Sequence, residues 1–278
     1  MTARVALTIA GSDPSGGAGI QADLKTFSAL GVYGTAALTA LTAQNTRGVT
    51  GVHPVPAPFV GDQLRTLLDD VTVHATKTGM LGSAAVVHEV VAVLGERSVG
   101  AVVVDPVMVA TSGDQLIDDA AVDAVRSALL PVTGLLTPNV PEAARLLHVE
   151  PATAEEQLAG QAVALLELGP AAVLLKGGHL GGSESVDVLA VGTAGEPVVT
   201  VTRRPRVPTT STHGTGCTLS AALAALAARQ GAAPEVVDWR PLVEQARDVL
   251  HAALLGGRDL GVGSGNGPVH HLAGVWPA

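Results

Sequence analysis

Ala101-Val102-Val103-Val104-Asp105-Pro106 decides the fold: a short apolar, β-branched run stops abruptly at an acid and a proline. The same grammar recurs along the chain. Val5 to Ile9 gives way to Gly11-Ser12-Asp13, and a helical pattern follows from about Ala18 to Leu30. Leu135-Leu136-Thr137 ends in Pro138-Asn139, with Pro141-Glu142 opening the next helix where proline is favoured. Val173 to Leu175 runs into Lys176-Gly177-Gly178. Apolar strands separated by helices predict an α/β fold with a mostly parallel central sheet and helices on both faces. Val186-Asp187-Val188-Leu189 and Val198-Val199-Thr200-Val201, with Gly192 to Pro197 between them, read as a hairpin that adds an antiparallel edge. In such sheets ligands bind beyond the carboxyl ends of the strands. Asp13, Asp105, Asn139 and Lys176 all fall there.

Composition narrows the class. The 278 residues show no compositional break and no internal repeat, so residues 1–278 read as a single domain. No run reaches the roughly 18 apolar residues that span a bilayer, and the first ten residues read as a strand rather than a signal peptide. One cysteine excludes an internal disulfide framework and fits a reducing cytoplasm. A net charge of −9 and 2% aromatic residues argue against nucleic acid as partner. Lysine is rare, only Lys25, Lys77 and Lys176 against 13 arginines, which suggests that each is kept as a compact point charge.

Thr212-His213-Gly214-Thr215-Gly216-Cys217-Thr218-Leu219-Ser220 runs into the apolar segment Ala221 to Ala228. Two glycines let N–H groups converge, and the alanine-rich helix behind them points its positive end at the same spot. That is a phosphate-gripping corner, and it also reads as a glycine-punctuated loop capped by threonine. At a helix N-terminus the Cys217 pKa is expected to fall, giving a thiolate.

Other motifs carry two readings each. Gly17-Ala18-Gly19-Ile20-Gln21-Ala22 matches a dinucleotide fingerprint, but no acid follows Asp23 until Asp62, so the ribose partner is missing. No Gly-Lys-Ser or Gly-Lys-Thr occurs. Asp13-Pro14-Ser15-Gly16-Gly17 reads instead as a tight loop that approaches a small ligand. Asp105, Asn139 and Glu142 suit hydrated Mg²⁺ near phosphates, yet Asp105 and Asn139 equally suit helix caps. Lys176 reads as a phosphoryl contact or as a surface lysine. The Gln44 amide can pair with a heterocycle edge. Met80 and Val107 read as pocket walls or as core. The histidines lack metal-ligand spacing, and His270-His271 reads as solvated.

Taken in order, Ala10 to Asp23, Thr39 to Thr46, Lys77-Thr78-Gly79-Met80-Leu81, Asp105-Pro106-Val107-Met108, Thr137-Pro138-Asn139, Lys176-Gly177-Gly178-His179 and His213-Gly214-Thr215-Gly216-Cys217 resemble the hydroxymethylpyrimidine/phosphomethylpyrimidine kinases of thiamine biosynthesis. The resemblance implies a ribokinase-like three-layer sandwich. It implies transfer of the ATP γ-phosphoryl to an aminopyrimidine alcohol and then to the monophosphate, with Mg²⁺. Gly11, Asp23, Gln44, Met80 and Val107 would bind the pyrimidine. Lys176, Asn139, Thr212 and Thr215 would hold the nucleotide. Asp105, Asn139 and Glu142 would organise the metal, and Cys217, Lys176 and the Gly214-Thr215-Gly216 turn would serve catalysis. The wider ribokinase-like group often has Asp where this chain has Cys217. A homodimer without membrane or nucleic-acid partners is implied, and the glycine-rich tail Gly263 to Pro268 has no implied role. A pyridoxal kinase of the same fold and a non-catalytic pyrimidine sensor are the alternatives.

Overall fold

A computed structural model describes residues 2–109, 117–178, 180–231 and 237–276. Eight strands form the main sheet: β1 (Val5–Ala10), β2 (Tyr33–Leu38), β5 (Ala75–Thr78), β6 (Ala101–Val104), β7 (Leu135–Leu136), β8 (Ala172–Lys176), β9 (Glu184–Val191) and β10 (Val198–Pro205). Their spatial order is β10-β9-β8-β7-β6-β5-β1-β2. From β2 to β8 all neighbours are parallel, and β8-β9-β10 is antiparallel. The predicted parallel sheet and edge hairpin are both present. A feature the apolar run from Ala36 to Leu41 concealed is a second sheet, β3 (Ala40–Asn45) paired antiparallel with β4 (Gly48–Pro54). The chain leaves the main sheet at Thr39. This buried residue donates its N–H to the Ala10 carbonyl and its hydroxyl to the Met80 carbonyl.

Each central strand divides its side chains between two cores, as a period of two demands of a sheet covered on both faces. In β6, Val102 and Val104 face one core while Ala101 and Val103 face the other; in β8, Val173 and Leu175 oppose Ala172 and Leu174. The first face is covered by α2 (Ala57–Leu68), α3 (Ala84–Glu96), α4 (Asp119–Ala124), α5 (Val140–Leu147) and α6 (Glu155–Leu166). The second is covered by α1 (Gly19–Ala29), α7 (Thr215–Gln230) and α8 (Trp239–Gly257). Every residue of α7 from Thr218 to Ala228 is buried, so its small side chains seat a helix between the sheet, α1 and α8. Its N-terminus is thereby fixed against the carboxyl ends of β1, β5 and β6. Helix α8 runs on to Gly257, so Gly256 and Gly257 are helical and the glycine-rich tail follows the helix.

Candidate active site

Apart from Asp23, all of the predicted site residues line one cavity of about 750 Å³ at the carboxyl ends of the strands. Gly11, Gln44, Met80 and Val107 lie at one end. Thr42 Oγ1 sits 3.2 Å from the Gln44 side-chain amide and holds it from its own strand, β3. The Met80 methyl packs so closely on Gly11 that a Cβ there would lie 2.5 Å from it. Asp23 is elsewhere: it is fully buried behind the cavity, 2.9 Å from Lys77 Nζ, and accepts the Thr8 hydroxyl at 2.6 Å. It therefore does not line the cavity, contrary to the expected place against the pyrimidine. Burial disfavours the Lys77 ammonium, but the carboxylates of Asp23 and Asp105 outweigh that and hold it protonated. Lys77 itself lines the cavity. Lys25, by contrast, donates to the Gly16 carbonyl at the surface.

The centre of the cavity is charged. Lys176, the last residue of β8, places Nζ 3.0 Å from Asp105 Oδ1 across β7. Burial opposes the Lys176 charge, yet Asp105 and Glu142 raise its pKa. The other Asp105 oxygen accepts from Ser220 at 3.3 Å. Asn139 and Glu142 are locked in a reciprocal cap at the start of α5. The Asn139 side chain accepts the Glu142 N–H at 2.9 Å, and Glu142 accepts the Asn139 N–H at 2.7 Å. Of the two readings of Asn139 the cap is the one the side chain takes, and Glu142 lines the cavity from the same cap. Burial pushes the Glu142 carboxyl up to about 7, with Lys176 opposing and neighbouring Asp105 adding to the rise.

Thr212, Gly214, Thr215, Gly216 and Cys217 form the wall facing Lys176. Gly214 has φ 79°, and a Cβ on it would overlap the Gly17 carbonyl oxygen. Only glycine allows the turn to close on the loop after β1. A Cβ on Gly216 would lie 3.4 Å from both Lys176 Nζ and Asp105 Oδ2, so the α7 N-terminus and the ammonium converge on one spot. The expected Cys217 thiolate is overturned. Burial raises the thiol to about 11, and Lys77 offsets this only in part. Desolvation and the nearby carboxylates of Asp23 and Asp105 disfavour the thiolate here.

Beyond Lys176 the cavity continues past Asp187, Arg206, Arg247, Leu250 and Leu254, residues with no sequence signal of their own. Arg247, buried on α8, reaches Asp187 at 3.4 Å, and Asp187 accepts the Gly177 N–H at 3.0 Å. Arg206 donates to the carbonyls of Gly178, Leu180, Gly182 and Glu184, and so shapes the chain after Lys176. His179 of the Lys176-Gly177-Gly178-His179 block lies outside the described residues. His271 is buried rather than solvated, and burial lowers its pKa to about 4.

The phosphomethylpyrimidine kinase family profile matches residues 13–270. The chain belongs to that family. It is 49% identical over 271 residues to the hydroxymethylpyrimidine/phosphomethylpyrimidine kinase of Escherichia coli strain K12, with 98% of each chain covered. A solved phosphomethylpyrimidine kinase from Clostridium difficile 630 superposes with a TM-score of 0.76 at 36% identity, covering 90% of this chain and 99% of that one. The Staphylococcus aureus pyridoxal kinase in complex with pyridoxal gives a TM-score of 0.86 at 32% identity, covering 99% and 96%. The fold is the ribokinase-like sandwich shared by both groups, and the chain is a kinase. Among the described residues no helix is long and apolar enough to cross a membrane.

Proposed function

We propose that the protein transfers the γ-phosphoryl of ATP to the hydroxymethyl group of 4-amino-5-hydroxymethyl-2-methylpyrimidine, and then a second phosphoryl to the monophosphate, within thiamine biosynthesis. One observation carries this reading. A single cavity joins an amide with apolar walls (Gln44, Met80, Val107) to an ammonium and a helix N-terminus aimed at one spot. The first end suits a flat heterocycle with ring donors and acceptors. The second suits a transferring phosphoryl group, whose transfer depends on positioning and charge stabilisation. Thr212 and Thr215 add hydroxyls on the nucleotide side. The greater identity to the pyrimidine kinase than to the pyridoxal kinase favours the pyrimidine as first acceptor.

Asp105 and Glu142 supply two carboxylates on one wall, a donor set that fits Mg²⁺ keeping most of its water. Two like charges side by side, one already pushed toward neutrality, are also what a divalent cation relieves. Asn139 has its side-chain oxygen committed to the cap, so its part is to aim Glu142. Mg²⁺ supplies charge neutralisation on the phosphates when bound.

A neutral Cys217 suits an enzyme with two acceptors. The first acceptor is an alcohol and the second carries a phosphate that is anionic near neutral pH. A carboxylate at position 217 would repel the second; a thiol repels neither. The test of acceptor recognition is Gln44→Ala. It leaves ring polar groups unpaired and raises the KM for the aminopyrimidine by the equivalent of about 1–3 kcal/mol. The KM for ATP stays near its original value. Equal weakening of both substrates contradicts the role.

A further inference from the structure

We propose that His213 is a positioning residue that registers the phosphoryl-binding turn against the acceptor loop, and that the tail from Gly263 to Val269 braces it. The proposal rests on the kinase reading and adds to it residues outside the binding roles already described.

The loop after β1 is wound around one carboxylate. Asp13 accepts the N–H groups of Ser15 at 2.9 Å, Gly17 at 3.1 Å and Ala18 at 2.8 Å, and the Ser15 hydroxyl at 2.9 Å. His213 Nε2 lies 2.7 Å from the same carboxylate, buried from water. Burial alone would raise the Asp13 pKa, but the hydrogen bonds from His213, Ser15 and Ala18 bring it down to about 2. Asp13 is therefore an acceptor only, and Nε2 carries the proton. The contact is steric as well as polar, because a Cβ on Gly17 would overlap the His213 ring. His213 thus ties residues 13–18 to Gly214, the first residue of the turn.

Its main chain is gripped from the other side. The His213 N–H donates to the Gly267 carbonyl at 3.0 Å, and its carbonyl accepts the Val269 N–H at 3.2 Å. The same tail reaches the turn between β3 and β4. Gly265 N–H donates to Thr46 Oγ1 at 3.1 Å, and Arg47 donates to Ser264 Oγ at 2.7 and 2.9 Å. Gln44 sits two residues before Thr46 on that hairpin. One imidazole therefore stands where the acceptor loop, the phosphoryl turn and the tail meet, and the tail links them to the Gln44 hairpin.

Phosphoryl transfer is sensitive to small misalignments of bound reactants. Losing this junction leaves each half-site able to bind while the halves drift in register. Water then competes better with the acceptor for the phosphoryl group. His213→Leu should lower kcat per folded molecule at least about tenfold and change the ATP KM by less than about threefold. It should also raise the ATP consumed per product formed. His213→Gln, which returns a donor close to the Nε2 position, should recover most of both. Thr46→Ala/Arg47→Ala, made at the surface where folding is not at stake, should shift the same ratio in the same direction. A folded His213→Leu with kcat within about twofold of the original overturns the positioning role, as does a His213→Gln no better than it. An unchanged ratio in the Thr46/Arg47 variant overturns the brace. Hydrogen exchange at the Gly214 to Gly216 amides supplies an arm that needs no turnover. It should speed up in both sets, and unchanged exchange contradicts the junction. A protein that phosphorylates no pyrimidine yet shows faster exchange in the variants would instead sink the functional reading alone.

Discussion

Cys217 is the single cysteine of the chain, so every thiol adduct reports on it. Burial moves its pKa from 9.0 to about 11. Two units correspond to about 2.7 kcal/mol of disfavoured charge. Below the usual pKa the thiolate fraction is then about 100-fold smaller, roughly one thiol in a thousand at about pH 8. Since only the thiolate attacks iodoacetamide, the alkylation rate should keep rising about tenfold per unit up to about pH 10. The rate is followed by intact mass, with circular dichroism confirming the fold at each pH. Access through the cavity mouth scales all the rates alike and leaves the midpoint unchanged. A plateau beginning below about pH 8 would show that the helix N-terminus prevails over desolvation. It would restore Cys217 as a thiolate base and refute the account of a neutral residue serving two acceptors.

Lys176→Ala should lower kcat/KM at least about tenfold, about 1.4 kcal/mol. It also leaves Asp105 without its ion-pair partner, so a lower Tm accompanies it, and turnover per folded molecule is the quantity that decides. Unchanged turnover in the folded fraction removes Lys176 from the phosphoryl site. For Glu142 the folded pKa lies above its usual 4.5, so the folded state binds the proton more tightly. The resulting stability is present below about pH 4.5 and is lost as pH rises through about 7. Glu142→Gln removes that loss, so its Tm relative to the parent should improve between about pH 5 and pH 8. A Tm difference independent of pH contradicts the shift. The same variant should need more Mg²⁺ for half-maximal turnover.

Much of this architecture was legible because physics leaves a local trace. Strands buried on both faces need continuous apolar runs, and the loops that end them hold polar residues at the binding edge. Asp105, Asn139 and Lys176, which line the cavity, were legible that way. The Asn139-Glu142 cap was legible too, through the proline and the acid that open α5. The β3–β4 sheet was not, because a single apolar run crosses from one sheet to the other at Thr39. Charge state was also beyond local reading. Cys217 and His271 take their pKa values from burial by distant segments, and Asp23 is withdrawn from the cavity by Lys77, 54 positions away. Arg247 and Asp187 meet only through packing of α8 on the edge hairpin. The glycine-rich tail had composition without a visible partner; its partners are His213, Thr46 and Arg47.

Turnover of both acceptors shows whether one cavity serves them in succession. Purified protein is incubated with ATP, Mg²⁺ and either the aminopyrimidine alcohol or its monophosphate, and products are separated by charge. Monophosphate followed by diphosphate is expected from the alcohol, and diphosphate directly from the monophosphate. Pyridoxal in place of the pyrimidine should be turned over more slowly. Phosphorylation of pyridoxal alone, or of neither heterocycle, would contradict it.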